Sequence, residues 1–190
     1  NIKNKTILIT GATSGIGLEI SKEFKKIGAN LNLIGRNKKK LNNVELDLKN
    51  IKKNNSSFKL IKGDLTQDLD LIAGEVDNLD GIVFNAGIVD YKPLKFLDES
   101  ELIELFNTNY FSSIFLLKKL IKQNKINYGA SIVFISSLSA SLGVPGTLAY
   151  SASKASINSS VRVLASELSR KKIRVNSIAP GLIKTPLIEN

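Results

Sequence analysis

Tyr150 and Lys154 sit four residues apart in the run "LAYSASKASI", Leu148 to Ile157. On a helix, that spacing puts both side chains on one face. A phenol with a pKa of ~10 is a poor acid or base at neutral pH. A cation a few ångströms away stabilises the phenolate and lowers that pKa. The pair could then give and take a proton near pH 7, as carbonyl–alcohol interconversion requires. Their neighbours Ala149, Ser151, Ala152, Ser153 and Ala155 are small. Small residues let a substrate and a cofactor approach this face, and would equally let another helix pack there. A tyrosine at a helix start and a snorkelling lysine are the plainer reading of the pair by itself, so the rest of the chain has to decide.

Composition narrows the chemistry. The 190 residues contain no histidine and no cysteine. That removes Ser-His-Asp and Cys-His machinery, disulfide frameworks and the usual zinc and thiolate metal sites. Acid–base work falls to Tyr, Lys, Asp or Glu, or to a cofactor; no metal site is expected. The length fits one domain, and 43% hydrophobic with 23% charged residues is ordinary globular composition. No apolar run approaches the roughly 20 residues of a membrane span. The opening "NIKNKTILIT" is basic and then apolar, but too short for a signal-peptide core. A cytoplasmic protein without membrane partners is expected. The lack of methionine anywhere suggests a sequence that is not the complete gene product.

The formal net charge is +10. A nucleic-acid binder would cluster such charge on one face. Here it is scattered: Lys38 to Lys40, Lys52 and Lys53, Lys118 and Lys119, Arg170 to Lys172. Several of these fall near predicted helix ends, where the expectation is that they complement the helix dipole. No nucleic-acid partner is expected. A basic surface still favours anionic ligands such as phosphates or an acidic carrier protein.

The elements that must position Tyr150 and Lys154 alternate. "TILIT" (Thr6–Thr10) reads as a strand, and "GIGLEISKEFKKIG" as a helix with Ile16, Ile20, Phe24 and Ile27 at helical spacing and Gly28 as its stop. "NLNLIG" (Asn30–Gly35) is a second strand, followed by a helix carrying Leu41, Val44, Leu48 and Ile51 on one face. Strands are predicted at Phe58–Asp64, Asp80–Gly87, Ala130–Ser136 and in "IRVNSIAPG", with long helices over Glu99–Lys122 and Tyr150–Arg170. Strand alternating with helix implies an α/β fold: one domain with a doubly wound, Rossmann-like parallel sheet.

The first strand–helix turn, "ITGATSGIG", holds Gly11, Gly15 and Gly17. Glycine permits close backbone approach, and the helix start offers bare N–H groups to a pyrophosphate. The spacing is not the common G-x-G-x-x-G. Its place at the first βα turn is where such sheets bind dinucleotides. The second strand ends "LIGRN", with Arg36 where an acid would bind a ribose 2′-hydroxyl. NADP(H) is therefore expected over NAD(H). Asp64 after the third strand could bond an adenine amino group, or could be a turn aspartate.

Taken together, "TGATSGIG", "NAG" (Asn85–Gly87), "NTNYFSS" (Asn107–Ser113), "IVFISSLSA", "YSASK" and "RVNSIAPGLIKTP" resemble the classical short-chain dehydrogenase/reductase family, in its order and over nearly the whole chain. The resemblance implies hydride transfer to or from a nicotinamide, with Tyr150 as general acid in reduction. Lys154 would lower the pKa of Tyr150 and bond the nicotinamide ribose. Ser137 would hold the substrate carbonyl, with Ser136 and Ser139 close enough to compete for that role. Asn109 would position a water that relays protons to Lys154; otherwise it is a helix-interior Asn with a local backbone bond.

The implied cofactor contacts are Gly11, Thr13, Ser14, Gly15, Ile16 and Gly17 in the first turn; Arg36, Asp64 and Leu65; and Asn85, Ala86 and Gly87. Tyr150, Lys154, Pro180, Gly181, Ile183 and Thr185 complete them at the nicotinamide. The resemblance further implies a homodimer or homotetramer built on the two long helices, with small positions at Ser156, Ser159, Ser160 and Ala165. It also implies that residues 1–190 are the dinucleotide-binding domain without the family's C-terminal substrate segment. The substrate class is a ketone or secondary alcohol: a 3-oxoacyl thioester on acyl carrier protein, a sugar or a small ketone. Sugar epimerases share the Tyr-x-x-x-Lys pair but usually differ in glycine pattern. A non-catalytic dinucleotide sensor or scaffold of the same fold is the alternative.

Overall fold

Runs of Ile, Leu and Val with no polar face are stable as strands only when both faces are covered. A computed structural model, which describes residues 2–51 and 55–186, arranges them that way. The strands are β1 Thr6–Thr10, β2 Asn30–Gly35, β3 Phe58–Lys62, β4 Leu79–Phe84, β5 Ile126–Ile135 and β6 Arg174–Ile178. They form one parallel six-stranded sheet in the order β3-β2-β1-β4-β5-β6, the expected doubly wound α/β fold. β1 and β2 pair without slippage, from Thr6 against Asn30 to Thr10 against Ile34. Their carboxyl ends are therefore level, which brings the glycine turn and Arg36 to the same edge.

The sheet's alternation sorts the core. Leu8, Ile34, Phe84 and Phe134 face one layer, with Ile72, Leu116 and Ile157 from the helices. Ile7, Ile9, Leu31 and Leu33 face the other, with Val44 and Leu48. The helices are α1 Gly15–Ile27, α2 Lys38–Lys49, α3 Leu69–Glu75, α4 Glu99–Phe106, α5 Ser112–Lys122 and α6 Leu148–Glu167. Phe134 stacks on Phe84 with centroids 4.6 Å apart. Truncating such a buried ring costs about 3–5 kcal/mol. No helix among the described residues is long and apolar enough to cross a membrane.

The structure departs from the sequence expectations at several points. The helix over Glu99–Lys122 runs through without a break, but a π-helical turn, Asn107–Phe111, joins α4 to α5. Such turns widen the helix locally and are frequent at functional sites. The last helix starts at Leu148 rather than Tyr150 and ends at Glu167, with a separate 3-10 turn at Ser169–Lys171. β5 begins at Ile126, its pairing with β4 slipping between Leu79 and Gly81. β3 and β4 stop short of Asp64 and of Asn85–Gly87, which become loops at the carboxyl edge. α3 is too short for periodicity to reveal it, and is held by buried Ile72 and Ala73. Ile51 lies beyond the end of α2.

The dipole expectation also fails in part. Lys119 and Lys122 do lie in the last turn of α5. Lys38, Lys39 and Lys40 occupy the first turn of α2, where the helix presents its positive end. Lys52 and Lys53 lie outside the described residues.

Candidate active site

Strand order reverses between β1 and β4, and ligands bind such sheets in the crevice beyond the strand ends at that point. The glycine turn forms one wall of it. Gly11 and Gly15 adopt φ of +62° and +52°, which side chains other than glycine rarely tolerate. A Cβ on Gly11 would lie 2.8 Å from the Ala86 Cα, so the two loops touch backbone to backbone. Gly17 faces away from the cleft: a Cβ there would lie 2.4 Å from the Gly11 carbonyl and 2.5 Å from Asn85 Nδ2. Its job is to let α1 start flush against the sheet. Ser14 precedes α1 in extended conformation without capping it through its side chain.

Thr10 and Asn85 lock this corner. Thr10 Oγ1 accepts hydrogen bonds from the backbone N–H groups of Asn85 (3.0 Å) and Ala86 (3.1 Å). Asn85 Nδ2 donates back to the carbonyls of Thr10 (3.2 Å) and Gly11 (3.1 Å). Sequence reasoning passed over Thr10; a polar residue closing an apolar strand just before glycine was its signal.

Beyond this corner runs a cleft of about 260 Å³. Gly11, Thr13, Ser14, Gly15 and Ile16 line it from the first turn, and Arg36, Asp64 and Leu65 from the ends of β2 and β3. Asn85, Ala86, Gly87 and Thr185 line it from the far side. Arg36 Nη1 lies 3.6 Å from Asp64 Oδ2. Asp64 Oδ1 accepts from the Thr66 N–H (2.8 Å) and hydroxyl (2.7 Å), so the turn reading of Asp64 describes its present contacts. Burial pushes the Asp64 carboxyl up, but the Thr66 bonds and the Arg36 guanidinium outweigh it and hold the pKa below the usual range.

A smaller cavity of about 90 Å³ adjoins the first, and Ile16, Asn85, Gly87 and Thr185 line both. Ser137, Tyr150, Lys154, Pro180, Gly181 and Ile183 line it as well. The loops after β5 and β6 are tied together here: Ser136 N–H donates to the Ile178 carbonyl at 2.7 Å and Leu138 N–H to Pro180 at 3.0 Å. The three candidate serines separate by surroundings. Ser136 is buried and donates to the Lys154 carbonyl at 3.2 Å. Ser139 gives its N–H to the Ser137 hydroxyl at 3.1 Å. Ser137 lines the cavity, and its hydroxyl works to lower the pKa of the Tyr150 phenol.

Lys154 is 4% exposed and donates to the Ile135 carbonyl at 2.9 Å. Burial pushes its pKa down to about 8. Its ammonium sits 5.7 Å from the centroid of the Tyr150 ring. The expected lowering of the phenol's pKa by Lys154 is not seen. Burial pushes Tyr150 up, the Ser137 hydroxyl works against that, and the nearby Tyr91 adds to the rise. The ammonium lies over the ring and spends a proton on Ile135.

Asn109, in the π turn, is buried behind the cavity. Its Oδ1 accepts from Ile88 N–H at 2.8 Å, and its Nδ2 donates to the Ile88 carbonyl at 2.9 Å and to Ser153 Oγ at 3.1 Å. These are long-range bonds, so the local-backbone alternative does not hold. A Cβ placed on Gly87 would meet both Asn109 Oδ1 (3.0 Å) and Lys154 Nζ (3.5 Å), which puts amide and ammonium side by side behind that glycine.

A family model described as short chain dehydrogenase matches residues 5–190. General stress protein 39 of Bacillus subtilis is 32% identical over 194 residues, covering 98% of this chain and 66% of its own length. The 3-oxoacyl-[acyl-carrier-protein] reductase FabG of Chlamydia trachomatis is 33% identical over 194 residues, covering 98% of this chain and 77% of its own length. The chain thus spans just under two thirds of the first relative and about three quarters of the second.

Among solved structures, a short-chain dehydrogenase/reductase of glucose/ribitol dehydrogenase type from Brucella melitensis superposes with a TM-score of 0.91 at 28% identity, over 99% of this chain and 76% of that one. A 3-ketoacyl-(acyl-carrier-protein) reductase from the same organism, complexed with NADH, gives 0.86 at 27% identity, over 100% and 80%. The matched stretch runs unbroken from the glycine turn through Tyr150 and Lys154, and on that extent of agreement the chain belongs to the short-chain dehydrogenase family.

Proposed function

We propose that this protein interconverts a ketone and a secondary alcohol with NADP(H), the Tyr150 hydroxyl moving the proton. The single observation that carries the reading is the shared wall of the two cavities: Ile16, Asn85, Gly87, Ile88 and Thr185 border both the glycine-lined cleft and the cavity lined by Tyr150, Ser137 and Lys154. A dinucleotide fits that cleft because the start of α1 carries no side-chain cap, so its N–H groups are free for phosphate.

When bound, the nicotinamide supplies or accepts the hydride. The chain's own residues do the rest. Ser137 donates a hydrogen bond to the substrate oxygen and orients it toward Tyr150. In reduction, Tyr150 gives its proton to that oxygen as the carbonyl carbon takes up hydride. The raised pKa keeps the phenol protonated and ready as the acid. Lys154, buried and pushed down to about 8, holds a positive charge beneath the phenol as the phenolate forms and can replace its proton. Asn109 fixes the Ile88 backbone and stands beside Lys154, the place from which a water-linked relay would run.

Arg36 at the end of β2 supports NADP(H), because a guanidinium there accommodates a 2′-phosphate. A relative complexed with NADH keeps NAD(H) as the competing cofactor. For substrate, we favour a 3-oxoacyl thioester on acyl carrier protein. The chain is 33% identical to a reductase so named, and its charge of +10 suits an acidic carrier. A cysteine-free composition suits a cytoplasmic setting.

We also read the protein as a homo-oligomer. Ile103 on α4, Phe111 at the end of the π turn and Phe115 on α5 are exposed, and Phe111 stacks on Phe115 at 5.9 Å. Ser160 is engaged within the chain by the Tyr110 hydroxyl at 2.8 Å, and Ser156 by the Ala152 carbonyl at 3.0 Å, so those two small positions serve the monomer's own packing.

The deciding assay mixes the protein with NADPH and a panel of 3-oxoacyl thioesters, sugars and small ketones, and follows nicotinamide absorbance. Turnover that Tyr150→Phe abolishes and Ser137→Ala cuts at least a hundredfold supports the reductase. Tight dinucleotide binding without turnover on any member of the panel favours the sensor or scaffold instead.

A further inference from the structure

Two loops meet beside the start of α6. One leaves β4 after Phe84; the other leads from Ser141 to Thr147 into the helix that carries Tyr150. Their backbones touch. Lys92 N–H donates to the Gly146 carbonyl at 2.7 Å. Gly146 has φ of +80°, and a Cβ there would lie 3.6 Å from the Lys92 nitrogen and 3.8 Å from the Tyr91 carbonyl carbon. Thr147, next along, is buried. Its hydroxyl donates to the Val144 carbonyl at 2.8 Å and lies 2.8 Å from the Ser151 hydroxyl. A displacement at Gly146 therefore reaches the first turn of α6, Tyr150 included.

The side chain of Lys92 joins a third segment. Its ammonium pairs with Glu101 Oε1 on α4 and lies 3.6 Å from Asp98 Oδ2. Glu101 holds the ammonium above the ordinary lysine range, and Lys92 holds the Glu101 carboxyl below its own, so both stay charged around neutral pH. Glu101 Oε2 separately accepts from the Asp98 N–H at 3.1 Å, so the start of α4 is closed without the lysine. Exposed ion pairs add little to stability. The fold has slight need of this one, yet it connects the loop after β4, α4 and the lead-in of α6 through a single residue.

Tyr91 lies between two fixed points of that loop. Asn109 grips Ile88 on one side, and Lys92 is tied on the other. The ring is 59% exposed, yet it is close enough to act on the Tyr150 phenol. An aromatic side chain held there meets what approaches Tyr150 from outside.

We propose that Lys92 is a positioning residue for the reaction at Tyr150: it ties the loop after β4 to α4 and to the lead-in of α6, and so holds Tyr91 where the substrate enters. The inference rests on the ketone–alcohol reading above and deepens it. Tyr91 packs on the substrate's carbon skeleton; Lys92 touches neither substrate nor cofactor.

The test compares the full chain with Lys92→Met, Lys92→Arg and Glu101→Gln. Thermal midpoint, NADPH titration and pH titration by ring-labelled tyrosine NMR are measured for each, with KM and kcat on a ketone that is turned over. The chain has four tyrosines, so Tyr91→Phe and Tyr150→Phe assign the two resonances that matter. Lys92→Met is expected to bring the Tyr150 pKa down toward that of a free tyrosine, because Tyr91 leaves and water enters. It should raise KM roughly fivefold or more with kcat within about twofold. Dinucleotide affinity and midpoint should stay at the wild-type values. Glu101→Gln should reproduce part of this, and Lys92→Arg should restore the wild type. High salt should move the wild type toward Lys92→Met and leave that variant unchanged. A Tyr150 pKa that does not move in Lys92→Met overturns the proposal. So does a lost dinucleotide affinity or a large fall in midpoint, either of which makes Lys92 structural. A wild type that turns over no ketone defeats the ketone–alcohol reading, and the tyrosine titration then decides the tie by itself.

Discussion

Asn109 grips Ile88 from both sides, accepting from its N–H at 2.8 Å and donating to its carbonyl at 2.9 Å. A side-chain amide here does what a neighbouring strand does elsewhere: it satisfies both backbone groups of a residue that β4 has left behind. The π turn at Asn107–Phe111 makes room for this grip, and Ser153, one residue before Lys154, is the amide's third partner.

Asn109→Ala should therefore cost stability as well as turnover. It leaves the Ile88 N–H and carbonyl without partners, a loss of about 2 kcal/mol. The thermal midpoint should fall by roughly 4–8 °C for a chain of this size. Asn109→Gln, which keeps the amide but lengthens it, should recover little. An Asn109→Ala protein that melts with the wild type would show that the grip is unimportant.

Burial of Lys154 should appear in the pH dependence of stability. Its folded pKa of about 8 lies below the ordinary lysine value of 10.5. Between those limits the unfolded chain binds more protons, so this contribution to stability rises as pH climbs from about 8 to about 10.5. Below that window Lys154 is protonated in both states and the burial penalty is constant. Lys154→Met should flatten the rise, which amounts to on the order of 3 kcal/mol at most. Urea midpoints of both proteins at pH 7.5 and 10 measure the difference, and parallel curves would refute it.

Two glycines should respond in opposite directions. Gly17→Ala forces a Cβ to within 2.4 Å of the Gly11 carbonyl, so α1 must shift off the sheet. About 1–3 kcal/mol of stability is expected to go with it, along with dinucleotide affinity. Gly74 sits inside α3, and a methyl group added there would meet nothing within 4 Å. Gly74→Ala should stabilise by about 0.5–1 kcal/mol, because alanine loses less entropy in a helix. Differential scanning calorimetry of both variants checks the pair.

The misplaced charge in α2 offers a further check. Lys38→Glu exchanges a first-turn cation for an acid and should raise apoprotein stability by about 0.5–1 kcal/mol at low salt. The gain should shrink in high salt as the charges are screened. A variant no more stable than wild type at low salt would mean that the three lysines impose no electrostatic strain.

Much of this protein was legible along the chain because local physics writes it there. Apolar runs with β-branched residues announced β1 and β2 to the residue, and Gly28 ended α1 where expected, with φ of +97°. The four-residue spacing of Tyr150 and Lys154 put them on one cavity wall because helical geometry leaves no other option. What lay between distant segments was not legible. No periodicity encodes the π turn from which Asn109 reaches across to Ile88. No motif says that Asp64 faces Arg36, or that Lys154 turns its ammonium to Ile135 and leaves the phenol's pKa raised. Sequence determined which residues could do the chemistry, since spacing and residue type are local properties. Burial and partner choice, which set each group's charge and therefore its role, are sums over neighbours that only the folded sheet brings together.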